Sequence, residues 1–406
     1  MLTLSKTDGI GGTIKNRPED FVVEEITATG AVLEQGTVYG PERLGMEPKD
    51  GDFAVFVMQK RDWNTVQALK AVAGSVKRGI RSVGFAGTKD RTSVSTQLCS
   101  VFGAKPEQLL EVKLKDISIN GAWASDRGIG MGDLLGNRFT VTVADAERPE
   151  NIDRINRELD GVFPNYFGEQ RFGVRENNVE IGLALLKGDL EEAVMLFLTD
   201  YVKEKNEDAI AARRRLAEER DFGKALEYFP KYLKYERPLL AVLAELPTDY
   251  AGAFKRLPRQ LALMFVHSVE SHIFNKEVET RVQKGLTDPQ EYDDVCIADS
   301  HGFPDPNITY LLQEESGRKR FPIGNLVGYN TEPNEIEISI MEELGIKKED
   351  FRIKRMPELS CKGSKRLLFA PYVGFSCTTD PVKMRFSLPS GSYATVLLQE
   401  FMKIKE

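Results

Sequence analysis

The chain has 406 residues, which is longer than one typical domain, so two domains are expected. Its formal net charge of −7 at pH 7 disfavours a polyanionic partner on composition alone, although 55 lysines and arginines are enough to form one basic face. Four scattered cysteines exclude a disulfide framework and a zinc ribbon and fit a reducing cytoplasm, and no apolar run approaches the roughly 18 residues of a membrane helix.

Residues 1–160 have the pattern of a sheet with one helix. Apolar runs and alternating side chains predict strands at 21–25, 52–59, 80–86, 94–102, 112–120 and 139–143. Asn64 is a predicted N-cap for the helix, because apolar residues follow it at helical spacing as far as residue 80. This part of the chain therefore predicts a mixed sheet with few helices.

From about residue 181 the pattern changes to helices. Asp189 and Glu192 predict a capping box, and a charged helix at 206–220 and an apolar helix at 260–274 follow. The pattern is mixed over 293–372, and a strand at 382–388 and a helix within 391–404 come last. We expect an α+β fold, in which 1–164 and 373–406 form a mixed, largely antiparallel sheet and 165–372 form an inserted α+β domain.

The strongest chemical signal is the segment 84–92, where an apolar run ends in Gly-Thr-Lys-Asp-Arg. It predicts a loop that holds the carboxylate of Asp90 between Lys89 and Arg91. A neighbouring cation favours the ionised form of a carboxylate, so Asp90 fits a nucleophile or base better than a proton donor. On residue types alone, a turn with both cations solvated is the more common arrangement.

This loop, with Thr96 and Gln97 after it, resembles the catalytic loop of the TruD family of tRNA pseudouridine synthases. Four further blocks resemble motifs of that family in the family's order, namely Lys15 with 18–25, then 136–139, 164–173 and 388–395. The resemblance implies a pseudouridine-synthase core with an inserted TRUD domain, and an isomerase that converts uridine, with position 13 of tRNA expected, without a cofactor. It implies that Asp90 is catalytic, by attack on the base, attack on the sugar or removal of a sugar proton.

The resemblance also implies roles near Asp90 for three residues. Phe139 is expected to stack on the target uracil, an interaction worth about 1 to 3 kcal/mol. Asn137 is expected to hydrogen-bond the base or the loop, and Lys15 to lie beside Asp90 as its charge partner. Without the resemblance, Phe139 would be read as a core residue of a strand, Asn137 as a turn cap and Lys15 as a surface lysine.

Three more residues complete the predicted site. Phe21 and Glu25 share one face of a strand, so Phe21 is expected to pack beneath the site and Glu25 to anchor nearby lysines or arginines. Arg171 is expected either to contact phosphate or to fix the hinge into the inserted domain. The basic runs 213–215, 318–320, 352–355 and 362–366 are candidate phosphate contacts, although each run alone is more typical of a solvated surface.

Two rival functions fit parts of the pattern. One is an RNA-binding protein or chaperone on the same fold without activity, and the other is a carboxylate-dependent hydrolase, which normally needs a second acid. We expect no metal, because His267 and His272 are five residues apart on one helix, a rotation of about 140°. We expect no nucleotide cofactor and no membrane partner, and a monomer that binds tRNA.

Overall fold

The computed structural model describes residues 1–291, 293–305, 308 and 319–404 and has an α+β architecture. The strands in these ranges are β1 (Phe21–Thr27), β2 (Phe53–Arg61), β3 (Val83–Phe85), β4 (Val94–Phe102), β5 (Ile117–Ser125), β6 (Leu134–Thr142), β7 (Val162–Pro164), β8 (Asp294–Ile297), β9 (Arg320–Leu326), β10 (Ser364–Leu367), β11 (Phe369–Pro371), β12 (Val373–Thr379) and β13 (Val382–Pro389). The helices are α1 (Thr65–Ser75), α2 (Pro106–Leu110), α3 (Ile152–Leu159), α4 (Asn178–Leu186), α5 (Leu190–Thr199), α6 (Glu207–Glu219), α7 (Phe222–Tyr228), α8 (Glu236–Glu245), α9 (Tyr250–Phe254), α10 (Arg259–Lys284), α11 (Glu335–Leu344) and α12 (Ala394–Met402).

The largest sheet has eight strands and is split near its centre. Seven of them follow the order β12-β13-β6-β1-β4-β2-β5, and β3 pairs with β4 outside this path. Strands β1 and β4 are parallel and pair over Val22–Glu24, whereas the other neighbours are antiparallel. Further along β4, strand β3 pairs with residues 99–101. Strand β1 therefore leaves β4 near Glu25, which opens the centre of the sheet.

Most of the predicted elements are confirmed, but one strand is displaced, one is shortened, and β6 begins at Leu134 rather than at residue 139. Asn64 caps α1 by accepting from the main chain of Val66 and Gln67. The strand predicted at 112–120 begins instead at Ile117, because Asp116 has a φ of 62° and interrupts the extended backbone. The strand predicted at 80–86 is reduced to β3, which follows a short 3-10 turn.

One face of the sheet carries two apolar cores with polar side chains between them. The core over β1, β6 and β13 contains Phe21, Phe139 and Phe386, and the core beneath α1 contains Phe56 and Leu69. Paired residues of neighbouring strands point to the same face, so the register brings a set of polar residues together between the cores. This polar strip consists of Glu25, Lys60, Ser95, Gln97 and Asn137.

Helices α4 to α11 surround a separate hydrophobic core built from residues 179–361. The chain passes from the sheet to this region at β7 and returns at β11, and these two strands pair with each other. A three-stranded sheet in the order β10-β9-β8 lies in the same region. No helix in the described part of the chain is long and apolar enough to span a membrane.

Candidate active site

The loop from β3 to β4 carries Asp90 and is held by side chains of the neighbouring elements. Thr65 at the start of α1 both accepts from the main-chain N–H of Lys89 at 2.9 Å and donates to its carbonyl at 3.1 Å. Gln97 of the polar strip donates to the carbonyl of Gly87 at 3.1 Å. A loop without regular structure is thus fixed at two of its residues, Gly87 and Lys89.

The main chain of Asp90 has two further donors. Its carbonyl accepts from Lys60 Nζ at 2.7 Å and from Ser93 Oγ at 2.7 Å. Lys60 is fully buried on β2, and burial lowers the pKa of its ammonium group to about 8. Lys60 is not evident from the sequence, because it lies just beyond the apolar strand predicted at 52–59. Only the strand pairing, which sets Lys60 opposite Ser95, shows that Lys60 belongs to the site.

The carboxylate of Asp90 points the other way and is 51% exposed. Its Oδ2 lies 2.5 Å from Lys15 Nζ, so the predicted pair of side chains is brought together. Lys15 has a φ of 62°, a left-handed conformation that costs a non-glycine residue about 1 kcal/mol or more. The structure therefore holds Lys15 in a strained conformation that delivers its ammonium group to Asp90.

The two cations beside Asp90 in the sequence pair elsewhere, so the interpretation that they flank the carboxylate is wrong. Lys89 is buried in the sheet opening and donates to Glu25 Oε2 at 2.6 Å. Glu25 Oε1 in turn accepts from the N–H of Leu98 at 2.9 Å, where β1 has left β4. Arg91 is exposed and lies 3.6 Å from Asp62. The side chain of Lys89 therefore points into the sheet opening, away from the exposed Asp90 carboxylate.

Phe21, Phe139 and Phe386 form an aromatic cluster beneath Lys15. The ammonium group of Lys15 lies 4.3 Å from the centre of the Phe21 ring. Phe139 is 5.9 Å from Phe21 in an edge arrangement and 5.6 Å from Phe386 in a stacked one. Phe139 is only 8% exposed, so it packs in the core beside the site, and its stacking on a base stays a prediction.

Asn137 lies two residues before Phe139, on the same face of β6. Its side-chain oxygen is buried and accepts no hydrogen bond from the described residues. Leaving a buried acceptor unpaired costs about 1 to 3 kcal/mol, so this oxygen is a strong acceptor for any N–H that enters the site. Arg138 between them points to the opposite face, where it pairs with Glu24 and Glu34.

Arg171 lies at the start of the helical region rather than on the polar strip. Its guanidinium is 4.9 Å from the centre of the Phe167 ring, and its carbonyl accepts from Ser268 of α10 at 2.8 Å. Arg366 lies 4.0 Å from the same ring and donates to the carbonyl of Asn165 at 3.0 Å. Of the two roles expected for Arg171, these contacts favour the hinge.

The basic runs contain both buried and exposed arginines. Arg213 is buried and donates to Glu236 at 2.5 Å, and Arg366 is also buried, where burial lowers its pKa to about 10. Arg352 is exposed and lies 4.4 Å from the centre of the Tyr329 ring. Arg318 lies outside the described residues. Arg213 and Arg366 are thus neither solvated nor open to phosphate, and their partners are distant in sequence.

The comparisons with known proteins place the chain among the pseudouridine synthases, which are isomerases. The family model described as tRNA pseudouridine synthase D (TruD) matches residues 2–401. The chain belongs to the TruD family of tRNA pseudouridine synthases.

Individual relatives cover nearly the whole chain. A probable tRNA pseudouridine synthase D of Methanosarcina acetivorans is 33% identical over 98% of this chain and 94% of its own length. The corresponding protein of Methanococcoides burtonii is 33% identical over 100% of this chain and 96% of its own. A crystal structure of the TruD protein of Methanosarcina mazei, 32% identical, covers 100% of this chain and 96% of that one with a TM-score of 0.80.

Proposed function

We propose that this protein isomerises a uridine of tRNA, with position 13 as the target, and that Asp90 is the catalytic carboxylate. Asp90 is assigned because its main chain and its side chain have different kinds of contact. Its main chain is fixed by Lys60 and Ser93, while its carboxylate is exposed and 2.5 Å from Lys15. A reactive group needs this combination of a fixed position and an open reacting atom.

The reaction breaks the bond between the ribose and N1 of uracil and forms a bond from the same ribose carbon to C5. The C5 proton is lost and N1 gains one, so no oxidant, reductant or energy source is consumed. Asp90 attacks the base, attacks the sugar or removes a sugar proton, and each route requires an ionised carboxylate. Lys15 supplies the positive countercharge beside that carboxylate.

The detached base must be held while it turns. Asn137 offers a buried oxygen that accepts from none of the described residues, which matches an imide N–H of uracil. Phe139 offers an aromatic ring next to it, and stacking tolerates rotation of the base because it has no directional hydrogen bond. Phe139 is largely covered, so contact with its ring requires neighbouring side chains to move.

The target uridine must leave its stack to reach Asp90. We place the tRNA in a cleft that leads to Asp90, between a catalytic core of residues 1–164 with 373–406 and an inserted domain of residues 165–372. The protein acts as a monomer. It acts in the cytoplasm, which agrees with four cysteines that are all free thiols.

The assignment is tested with Asp90→Asn, which keeps the size of the side chain and removes its charge. Tritium release from tRNA labelled at uracil C5 is expected to fall below detection, while tRNA affinity is retained. Asp62→Asn is the matched control, because this carboxylate is in the same region and contacts Arg91, and it should keep full turnover.

The same assay separates the rival functions. A hydrolase would release free uracil, and an RNA-binding protein without activity would bind tRNA but release no tritium. Mapping pseudouridine in host tRNA with and without the protein tests the target position. Turnover by Asp90→Asn would refute Asp90 as the catalyst.

A further inference from the structure

A second group of reactive side chains lies in the helical region, away from the polar strip. His267, Glu270 and Cys361 place one ligand atom each within 4.8 Å of one another. His267 Nδ1 is 2.6 Å from Glu270 Oε2, and Cys361 Sγ is 3.9 Å from the same nitrogen. None of these residues is part of the proposed reaction.

The fold brings this group together from two distant segments. His267 and Glu270 are three residues apart on α10, so they share one face of the helix. Cys361 is held opposite them, because its N–H donates to the carbonyl of Phe351 at 3.0 Å and its carbonyl accepts from Tyr329 at 3.1 Å. His272, five residues after His267 on α10, lies on another face of the helix and is not part of the group.

The charges of the group are buried unequally. Glu270 is 4% exposed and Cys361 is 6% exposed, whereas the side chain of His267 is 42% exposed and provides an opening. A buried carboxylate needs a compensating cation. In the described ranges the ion-pair partner of Glu270 is His267, whose charge is present only when the ring is protonated. Burial and the nearby Glu270 raise the pKa of the Cys361 thiol.

We propose that His267, Glu270 and Cys361 bind a zinc ion. One nitrogen, one oxygen and one sulfur ligand suit zinc, whereas magnesium and calcium prefer oxygen alone. Binding transfers the thiol proton of Cys361 to solvent and forms a zinc–thiolate bond. Three protein ligands leave the fourth tetrahedral position to water on the open side of His267.

The geometry requires a small adjustment. Zinc–ligand bonds of about 2.0 to 2.3 Å place tetrahedral ligand atoms about 3.3 to 3.7 Å apart. The sulfur–nitrogen distance of 3.9 Å is close to this range, and the 2.6 Å hydrogen bond of His267 must open. The half-exposed ring of His267 can make that movement. A bound ion would then link α10 to the segment that leads into β10.

The test is a titration of the metal-free, full-length protein with cobalt(II), followed by displacement with zinc. We expect one ion per chain, the visible absorption of tetrahedral cobalt, a sulfur-to-cobalt charge-transfer band and release of a proton. Cys361→Ser should lose the charge-transfer band, and His267→Gln should bind at least about tenfold more weakly. Zinc should raise the unfolding temperature of the native sequence but not of Cys361→Ser.

Cys377→Ser is the matched control, because Cys377 is a free thiol outside this group and its loss should change neither band nor stoichiometry. His272→Gln is a second control on the same helix. Binding of no ion, or a charge-transfer band that survives in Cys361→Ser, would overturn the proposal and leave a hydrogen-bonded cluster. Because the readout is direct binding, the result is independent of whether Asp90 isomerises uridine.

Discussion

At the scale of single residues, Lys60 fixes Asp90 from within the sheet. Its ammonium group is buried and donates to the Asp90 carbonyl at 2.7 Å. Burial lowers its pKa to about 8, so the group is still mostly protonated at pH 7. A buried cation of this kind costs folding free energy, which its contact with the Asp90 main chain only partly returns. Its position suits orientation of the carboxylate more than stability.

We therefore expect Lys60→Met to lower turnover by about 10- to 100-fold, because a displacement of about 1 Å at a reacting group has effects of this size. Stability should change little, since Met replaces a buried charge with an apolar chain of similar length. Single-turnover tritium release and urea unfolding measure the two effects. Lys70→Met, an exposed lysine of α1, controls for the lost charge. Equal turnover in both variants would contradict a positioning role for Lys60.

The pairing of Asp90 with Lys15 was predictable from the sequence, whereas the residues that hold the Asp90 loop in place were not. Asp90 and Lys15 lie in motifs that the sequence displays, and the structure brings them together. Lys60 and the direction of Lys89 depend on the strand register and on the split between β1 and β4. Residue types at one position cannot show which way a loop residue points.

At the scale of elements, Arg366 connects its own strand β10 to two other segments. It donates to Asn165 before α4 and to the carbonyl of Gly391 before α12. It also lies against the Phe167 ring. The guanidinium is fully engaged by fixed oxygens and ring faces, a geometry that the single ammonium group of lysine cannot reproduce.

We expect Arg366→Lys to lower the free energy of unfolding by about 2 to 4 kcal/mol, because several hydrogen bonds to a buried charged group are lost at once. Urea unfolding followed by fluorescence measures the change. Arg352→Lys is the control, because Arg352 is exposed and contacts Tyr329 alone among the rings described, and its effect should stay below about 0.5 kcal/mol. A similar loss in both variants would show that Arg366 does not join the segments.

Two buried glutamates, one on α10 and one on α11, lie close together and respond to pH. Glu277 and Glu337 both contact Asn334, at 2.9 Å each. Burial and the nearby Glu337 raise the pKa of Glu277 from 4.5 to about 8. The folded state therefore binds more protons than the unfolded state between these values, and the stabilisation is present below pH 4.5 and is lost as the pH rises through about 8.

Glu277→Gln should remove this pH dependence. The difference in free energy of unfolding between variant and native protein should grow in favour of the variant as the pH rises, by at most about 1.4 kcal/mol per pH unit. Urea unfolding at about pH 5.5 and about pH 9, on either side of the raised pKa of Glu277, measures this difference. Glu342→Gln, an exposed position of α11, should show no such trend. A variant that loses stability at high pH relative to the native protein would reverse the sign and refute the assignment.

At the scale of the whole molecule, the first residues of the chain are held by its last helix. Glu400 of α12 accepts from the N–H of Leu4 at 2.7 Å and of Ser5 at 3.0 Å. Ile10 then donates to the carbonyl of Phe401 at 2.8 Å, five residues before Lys15. Periodicity predicted α12 and the strand of Phe21, but contacts across almost 400 positions follow only from the folded chain.

This arrangement makes the position of Lys15 depend on α12. Removing the Glu400 carboxylate leaves two N–H groups without acceptors, so Glu400→Ala should cost about 2 to 4 kcal/mol of stability. It should also lower turnover, because the segment that delivers Lys15 loses its anchor. Glu107→Ala, at an exposed position of α2, should change neither quantity.

A double-mutant cycle shows whether the effect on turnover passes through Lys15. If it does, Glu400→Ala lowers turnover in the native background but adds almost nothing once Lys15→Met has removed the ammonium group. Independent effects would instead multiply in the double variant, and Glu400 would then act on the fold alone. Measuring turnover at a temperature where all four proteins are folded keeps the loss of stability out of the comparison. The strained φ of Lys15 is the physical reason to expect coupling, because a left-handed residue holds its conformation only while the backbone on both sides is fixed.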